Sequence, residues 1–163
     1  MDKDALYKKE EALFCWQEAH EHQRRGEYAI AVELYMRSIH LYPTAEAHTF
    51  LGWTYSMMGR IQDAIEECHK AIQVDPDFGN PYNDIGAYLI ELSEYDAAIP
   101  WLEKAIHAPR YEARAYPHIN LGRVWEHRFE WDKAIASYKR ALYESPDYEA
   151  ALIALRKLQA RLN

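Results

Sequence analysis

Residues 51–76, "LGWTYSMMGRIQDAIEECHKAIQVDP", gather a Trp, two Met, a Cys and a His into one short stretch. Cys68 beside His69 is the pairing that thiolate chemistry and soft-metal binding use. On a helix, however, adjacent residues point about 100° apart, so the two side chains do not share a face. A reactive thiolate also needs exposure and positive charge beside it, and Glu66 and Glu67 supply the opposite sign. Cys68 therefore reads as a packing residue, the small hydrophobe that a free Cys usually is. The fragment "HEH" at 20–22 starts like HExxH, but Arg24 stands where the second metal ligand belongs. His20 and His22 point about 200° apart and cannot share a metal. His48, His69, His107, His118 and His127 are scattered and read as exposed or partly packed. The neighbours Glu10–Glu11 and Glu66–Glu67 read as solvated helix faces, since adjacent carboxylates do not face each other. There is no P-loop, no GxGxxG and no GxSxG. The expectation is no catalytic residue, no metal site and no cofactor.

The elements that carry these residues recur. The stretch at 51–76 returns as "IGAYLIELSEYDAAIPWLEKAIHAPR" at 85–110 and as "LGRVWEHRFEWDKAIASYKRALYESP" at 121–146. A degraded copy, "EAHEHQRRGEYAIAVELYMRSIHLYP", occupies 18–43. The register is carried by Ala31, Ala64, Ala98 and Ala134. Four residues after each comes a larger side chain, Tyr35, Cys68, Leu102 or Tyr138, and three further on Ser38, Ala71, Ala105 or Ala141. The offsets i, i+4 and i+7 place small, large and small residues on one helical face. Small residues let a neighbouring helix approach, and the larger one fills the gap. Gly52, Gly86 and Gly122 do the same on the preceding helix. Pro43, Pro76, Pro109 and Pro146 close the units.

This pattern resembles the tetratricopeptide repeat, whose signature is a Leu-Gly pair, an aromatic three residues on, then Ala, a bulky residue and Pro over about 34 residues. Leu51, Gly52, Tyr55, Gly59, Ala64, Ala71 and Pro76 supply one copy; Leu121, Gly122, Trp125, Ala134, Tyr138, Ala141 and Pro146 supply another. The copy between them has Gly86 and Ala98 but Leu89 in the aromatic place, and the first has Glu18 and Ala19 instead of Leu-Gly. The resemblance implies an all-α fold: a right-handed superhelical solenoid of four helical hairpins plus a C-terminal capping helix, all in one domain over 1–163. The repeats run about 12–44, 45–78, 79–114 and 115–148, with the cap at about 147–162. Helices are expected at 3–25, 27–41, 44–58, 61–74, 78–92, 95–108, 112–128, 131–144 and 147–162. The last places Tyr148, Ala151, Leu152, Leu155, Leu158 and Leu162 on one stripe, suited to cover the end of a repeat stack. Pro100 removes one hydrogen bond from the sixth helix and should bend it slightly.

In the family that this chain resembles, the first helix of each hairpin lines a concave groove that holds a peptide. Carried over by register, the groove positions here are Trp16 and His20; Thr49, Trp53 and Ser56; Asn83, Ala87 and Ile90; and Asn120, Arg123 and His127. Trp16 and Trp53 are either large apolar anchors of an interface or inter-repeat core. Asn83 and Asn120 either pair with an extended peptide backbone or are solvated polar positions. Arg123 suits a carboxylate or carbonyl. The carboxylate clamp of chaperone-binding members needs Lys and Asn where this chain has Trp16, His20, Trp53, Asn80 and Asp84, so that partner is not expected.

Composition sets limits. The net charge is −7, with 2 basic and 6 acidic residues over 45–78, 3 and 6 over 79–114, and 8 and 6 over 115–163. An acidic middle argues against a nucleic-acid groove. No apolar run reaches the roughly 20 residues of a membrane span, the N-terminus lacks a signal-peptide pattern, and only Cys15 and Cys68 are present. A cytoplasmic, non-enzymatic adaptor that binds a protein or peptide is the resulting expectation. The alternatives are a self-assembling scaffold, associating through the C-terminal helix by way of Ala150, Ile153 and Ala154, and a dedicated secretion or assembly chaperone.

Overall fold

A computed structural model describes residues 2–163. Among them the fold is all-α, with nine helices: α1 (Lys3–Arg24), α2 (Tyr28–Leu41), α3 (Ala45–Met57), α4 (Ile61–Val74), α5 (Asn80–Glu91), α6 (Tyr95–His107), α7 (Ala115–His127), α8 (Trp131–Glu144) and α9 (Glu149–Leu162). The expected spans 61–74 and 131–144 coincide with α4 and α8, and the other ends fall within three residues. The largest shifts are at the starts of α5, α7 and α9, and the first two have a cause in the sequence. The helices α5 and α7 begin just ahead of a proline, Pro81 or Pro117, which fits a first turn because its missing N–H would have no partner there. The helix α6 runs on through Pro100. The chain divides into two compact units, the first ending at Pro81 and the second running from Tyr82 to Asn163.

In the first unit, α1 packs on α2 and α3 on α4. The small–large–small faces are buried as their spacing requires: Ala31, Tyr35, Ala64, Cys68 and Ala71 have no exposed surface, and Ser38 has 2%. A Cβ on Gly52 would sit 2.9 Å from the Ala64 carbonyl oxygen, so α3 and α4 approach backbone to backbone. The degraded first copy obeys the same rule with Ala19, fully buried, in the glycine place. Tyr35 Oη donates to Gln23 Oε1 (2.7 Å), and Gln23 Nε2 donates to Thr54 Oγ1 (2.9 Å), so one buried amide ties α1, α2 and α3 together. Thr44 caps α3 by accepting from Ala47 N at 3.1 Å.

In the second unit, Ala98, Leu102, Ala105, Ala134 and Ala141 have no exposed surface and Tyr138 has 1%. Burying a side chain such as Leu102 contributes about 1.5–3 kcal/mol. A Cβ on Gly86 would lie 2.4 Å from Leu102 Cδ2, and one on Gly122 would lie 2.2 Å from Tyr138 Cε1. Tyr138 Oη donates to Glu126 Oε1 at 2.5 Å, twelve residues earlier, the same separation as the Tyr35–Gln23 bond. The helix α9 packs on α8 through Ala151 and Leu158, with Tyr148, Ala154 and Leu155 half-buried beside them. Leu162, expected on that stripe, is 47% exposed because it lies in the last turn, past the packed end of α8.

The turns after α1 and α3 place Gly26 and Gly59 at φ +76°, the left-handed conformation that closes a helix C-terminus. The corresponding turns after α5 and α7 place Ser93 (φ +62°) and Phe129 (φ +60°) there instead.

Tyr138 is pinned at its hydroxyl and cannot swing away as a leucine end can. Gly122→Ala should therefore destabilise the protein by about 1–3 kcal/mol through overpacking, and more than Gly86→Ala does. Urea unfolding of the two variants checks this, and equal midpoints to wild type would contradict the close approach.

Candidate functional site

The thiols are packing groups. Cys68 has no exposed surface, and Cys15 has 3% and a pKa raised chiefly by burial, an effect that the nearby Arg37 opposes. His69 is exposed. Among the described residues no three His, Cys, Asp or Glu side chains come together as a metal site.

Glu67, expected on a solvated face, is 7% exposed, and His48 is 8% exposed. His48 Nδ1 lies 2.7 Å from Glu67 Oε2, and Lys70 Nζ donates to Glu67 Oε1 at 2.6 Å. Burial alone would raise the Glu67 pKa, but the His48 and Lys70 bonds outweigh it and hold the carboxyl below its usual range. The sequence does carry a signal for this. Glu67 stands three residues after Ala64 and four before Ala71, on the buried stripe of α4.

The groove positions of the first unit lie on α1 and α3. Trp16 and His20 stack with ring centroids 5.5 Å apart, and Phe50 meets each edge-on at 5.2 Å. Trp16 packs against the Ala19, Ala31, Tyr35 and Leu51 cluster and also lines an apolar cleft of about 500 Å³ with Leu6, Leu13 and Tyr42. Trp16 Nε1 and His20 Nδ1 are buried without a hydrogen-bond partner. Thr49 is buried, and its hydroxyl donates to the Ala45 carbonyl at 2.7 Å, while that of Ser56 donates to the Trp53 carbonyl at 2.7 Å. Trp53 itself is 42% exposed. With Met57, one turn further on and 49% exposed, it is a large apolar side chain that this face leaves open.

In the second unit, Asn83 and Asn120 are buried rather than solvated, and Asn120 Nδ2 donates to Asn83 Oδ1 at 3.1 Å. Arg123 Nη1 donates to Asn120 Oδ1 at 3.3 Å while its side chain reaches solvent. Ala87 is half-buried. Ile90 packs half-buried against the cluster of Ala98, Leu102, Leu121 and Val124, and the exposed His127 stacks on Tyr95 at 3.6 Å. Asp84 keeps part of its surface in solvent, yet burial pushes its pKa up to about 7 against the lowering effect of an Asn83 hydrogen bond. The residue therefore counts for less than a full negative charge near neutrality, a property of enclosure that no sequence pattern announces.

With the repeats and their buried register established, comparison with known proteins is direct. Residues 45–78 match one tetratricopeptide repeat family pattern and residues 83–149 match another, together more than half of the chain. The chain belongs to the tetratricopeptide repeat family. Neither match reaches the degraded copy at 12–44, where α1 and α2 nonetheless pair. The BBSome complex member BBS4 of Bos taurus is 28% identical over 106 residues, 65% of this chain and 20% of that protein. The SGT1 homolog of Oryza sativa subsp. japonica is 33% identical over 78 residues, 47% of this chain and 21% of that protein. The chain thus spans about a fifth of the length of these curated relatives. Among solved structures, Pseudomonas aeruginosa pilF superposes with a TM-score of 0.87 at 21% identity, covering 94% of this chain and 70% of that one. A crystal structure of MamA gives 0.73 at 25% identity, covering 91% and 81%. Both are tetratricopeptide solenoids, and proteins of this family typically mediate protein–protein interaction.

Asp84 makes a signed prediction. Its folded pKa lies above the ordinary 3.8, so the native state holds an extra proton between about pH 4 and 7. That contribution to stability is complete below about pH 4 and is lost as pH rises through 7. Asp84→Asn should flatten this slope and be more stable than wild type at pH 8, as measured by urea midpoints at pH 5 and pH 8.

Proposed function

We propose that this chain is a non-enzymatic adaptor, placed in the cytoplasm, that binds a segment of a partner protein along the faces that the first helices of its repeats leave free. The observation that carries this reading is Trp53. The same helix buries Leu51 and Gly52 against its neighbours, yet leaves a Trp 42% exposed at the groove register. A Trp left 42% exposed contributes only part of its surface to packing, whereas Trp is enriched among the few residues that dominate interface energies. Arg123 supports the reading in the second unit, since the Asn120 bond holds a guanidinium at the surface. The reduced, buried Cys15 and Cys68 agree with a reducing compartment. Whether the adaptor acts as a dedicated assembly chaperone is decided by the identity of its partner.

Co-purification with the tagged chain, followed by identification of the bound protein, supplies that partner. Trp53→Ala should then weaken its binding about tenfold or more. The melting temperature should stay unchanged, because the side chain is half in solvent. Unaltered binding would remove Trp53 from the interface.

A second reading, self-association through α9, is favoured by Ile153 and Leu162, which are 43% and 47% exposed. Light scattering over a concentration series would show a rising mass, and a constant monomer mass would rule it out.

A further inference from the structure

The second unit contains a cleft of about 470 Å³ between α7, α8 and α9. Arg123, Lys157 and Arg161 line it with one carboxylate, Glu126, and its floor is built from Ala150, Ile153, Ala154 and Leu158. Three cations against one anion leave the cleft positive in a protein whose net charge is −7. Two of the three cations, Arg123 and Arg161, have partners in the fold. Glu126 accepts from the buried Tyr138 hydroxyl at 2.5 Å and lies 3.8 Å from Arg161, and Arg123 is bonded to Asn120.

The cleft continues into an aromatic edge. The Arg161 guanidinium lies 5.3 Å from the Trp131 ring, and Phe129 meets that ring edge-on at 5.5 Å. Phe129 is 73% exposed and has φ +60°. A bulky residue in the left-handed region is an outlier, and Gly26 and Gly59 take the equivalent turns of the first unit without strain. The phenyl ring gains only that edge contact with Trp131 in return for the backbone conformation and keeps most of its surface in solvent. Local strain kept for so small a packing gain points to a position that contacts something else.

We infer that this cleft is the docking site for an acidic polypeptide segment that also carries apolar side chains. The inference rests on the adaptor reading above and names the chemistry of the partner. Carboxylates of the segment pair with Arg123, Lys157 and Arg161, with the two guanidiniums able to take them in bidentate fashion. An aliphatic side chain lies over Ile153 and Ala154, and an aromatic one meets Phe129. The apolar floor of Ala150, Ile153, Ala154 and Leu158 gives a phosphodiester backbone nothing to pair with, whereas a peptide can lay aliphatic side chains on it.

The test uses the full chain and a fluorescein-labelled peptide made of repeated Asp-Asp-Leu-Glu-Glu-Phe, read by anisotropy at low salt. Saturable binding is expected that weakens as salt is added. The control peptide with lysine in place of every carboxylate residue should fail to bind. Lys157→Glu with Arg161→Glu should weaken binding roughly tenfold or more. Phe129→Gly should weaken binding while raising the melting temperature, because glycine relieves the turn. Opposite signs in these two readouts separate contact from folding. Equal binding by the charge-reversed variant, equal binding of the lysine peptide, or tighter binding of a labelled oligo-dT overturns the site. Capture of a natural partner that depends on Trp53 but ignores the charge reversal also overturns it, and leaves the adaptor reading standing.

Discussion

The structure depends on one steric constraint, the interlock of a missing side chain on one helix with a present one on the next. Gly122 under the Tyr138 ring and Gly86 under Leu102 bring paired helices closer than any Cβ would permit. Once that distance is set, the alanines that flank the large residue must stay small, and all of those on α4, α6 and α8 are fully buried. Dispersion and apolar burial then act over the whole length of each pair. Everything that faces outward, including Trp53 and Arg123, is free to vary because the interlock does not involve it.

This also explains what was legible in the sequence. The offsets of Ala64, Cys68 and Ala71, and of their counterparts, follow from helical periodicity, so the helices and their buried faces could be read directly. Cys68 could be assigned to packing because Tyr35, Leu102 and Tyr138 hold the same place. The degraded first copy was readable only in part, since Ala19 does the work of glycine without being one. The starts of α5 and α7 lie two and three residues later than periodicity alone suggests, at the first turns that Pro81 and Pro117 mark.

The candidate site was less legible, for reasons that lie in three dimensions. The register names Asn83 and Asn120 but does not reveal that they are buried and bonded to each other. Trp16 and Trp53 have the same type and the same assigned face, yet Trp16 packs against a core cluster and stacks on His20, and Trp53 stays 42% exposed. Glu67 looked solvated beside Glu66 because adjacency in sequence conceals a turn of 100° about the helix. The Asp84 shift depends on enclosure by its surroundings, which no local pattern encodes.

The hydroxyls of Tyr35 and Tyr138 reach back twelve residues to Gln23 and Glu126. At the same separation from Cys68 and Leu102 stand Ser56 and Ile90. Opposite each tyrosine stands a long side chain whose oxygen reaches its hydroxyl, and opposite Cys68 and Leu102 stand a short or an aliphatic one. Repeats of one family are commonly treated as interchangeable bricks, but here each carries its own internal key. A chimera that moved α8 next to α5 would bring a buried phenol to Ile90, which has no oxygen to receive its proton. Shuffling this chain must keep helix pairs whole, so its modularity is that of the hairpin and not of the single helix.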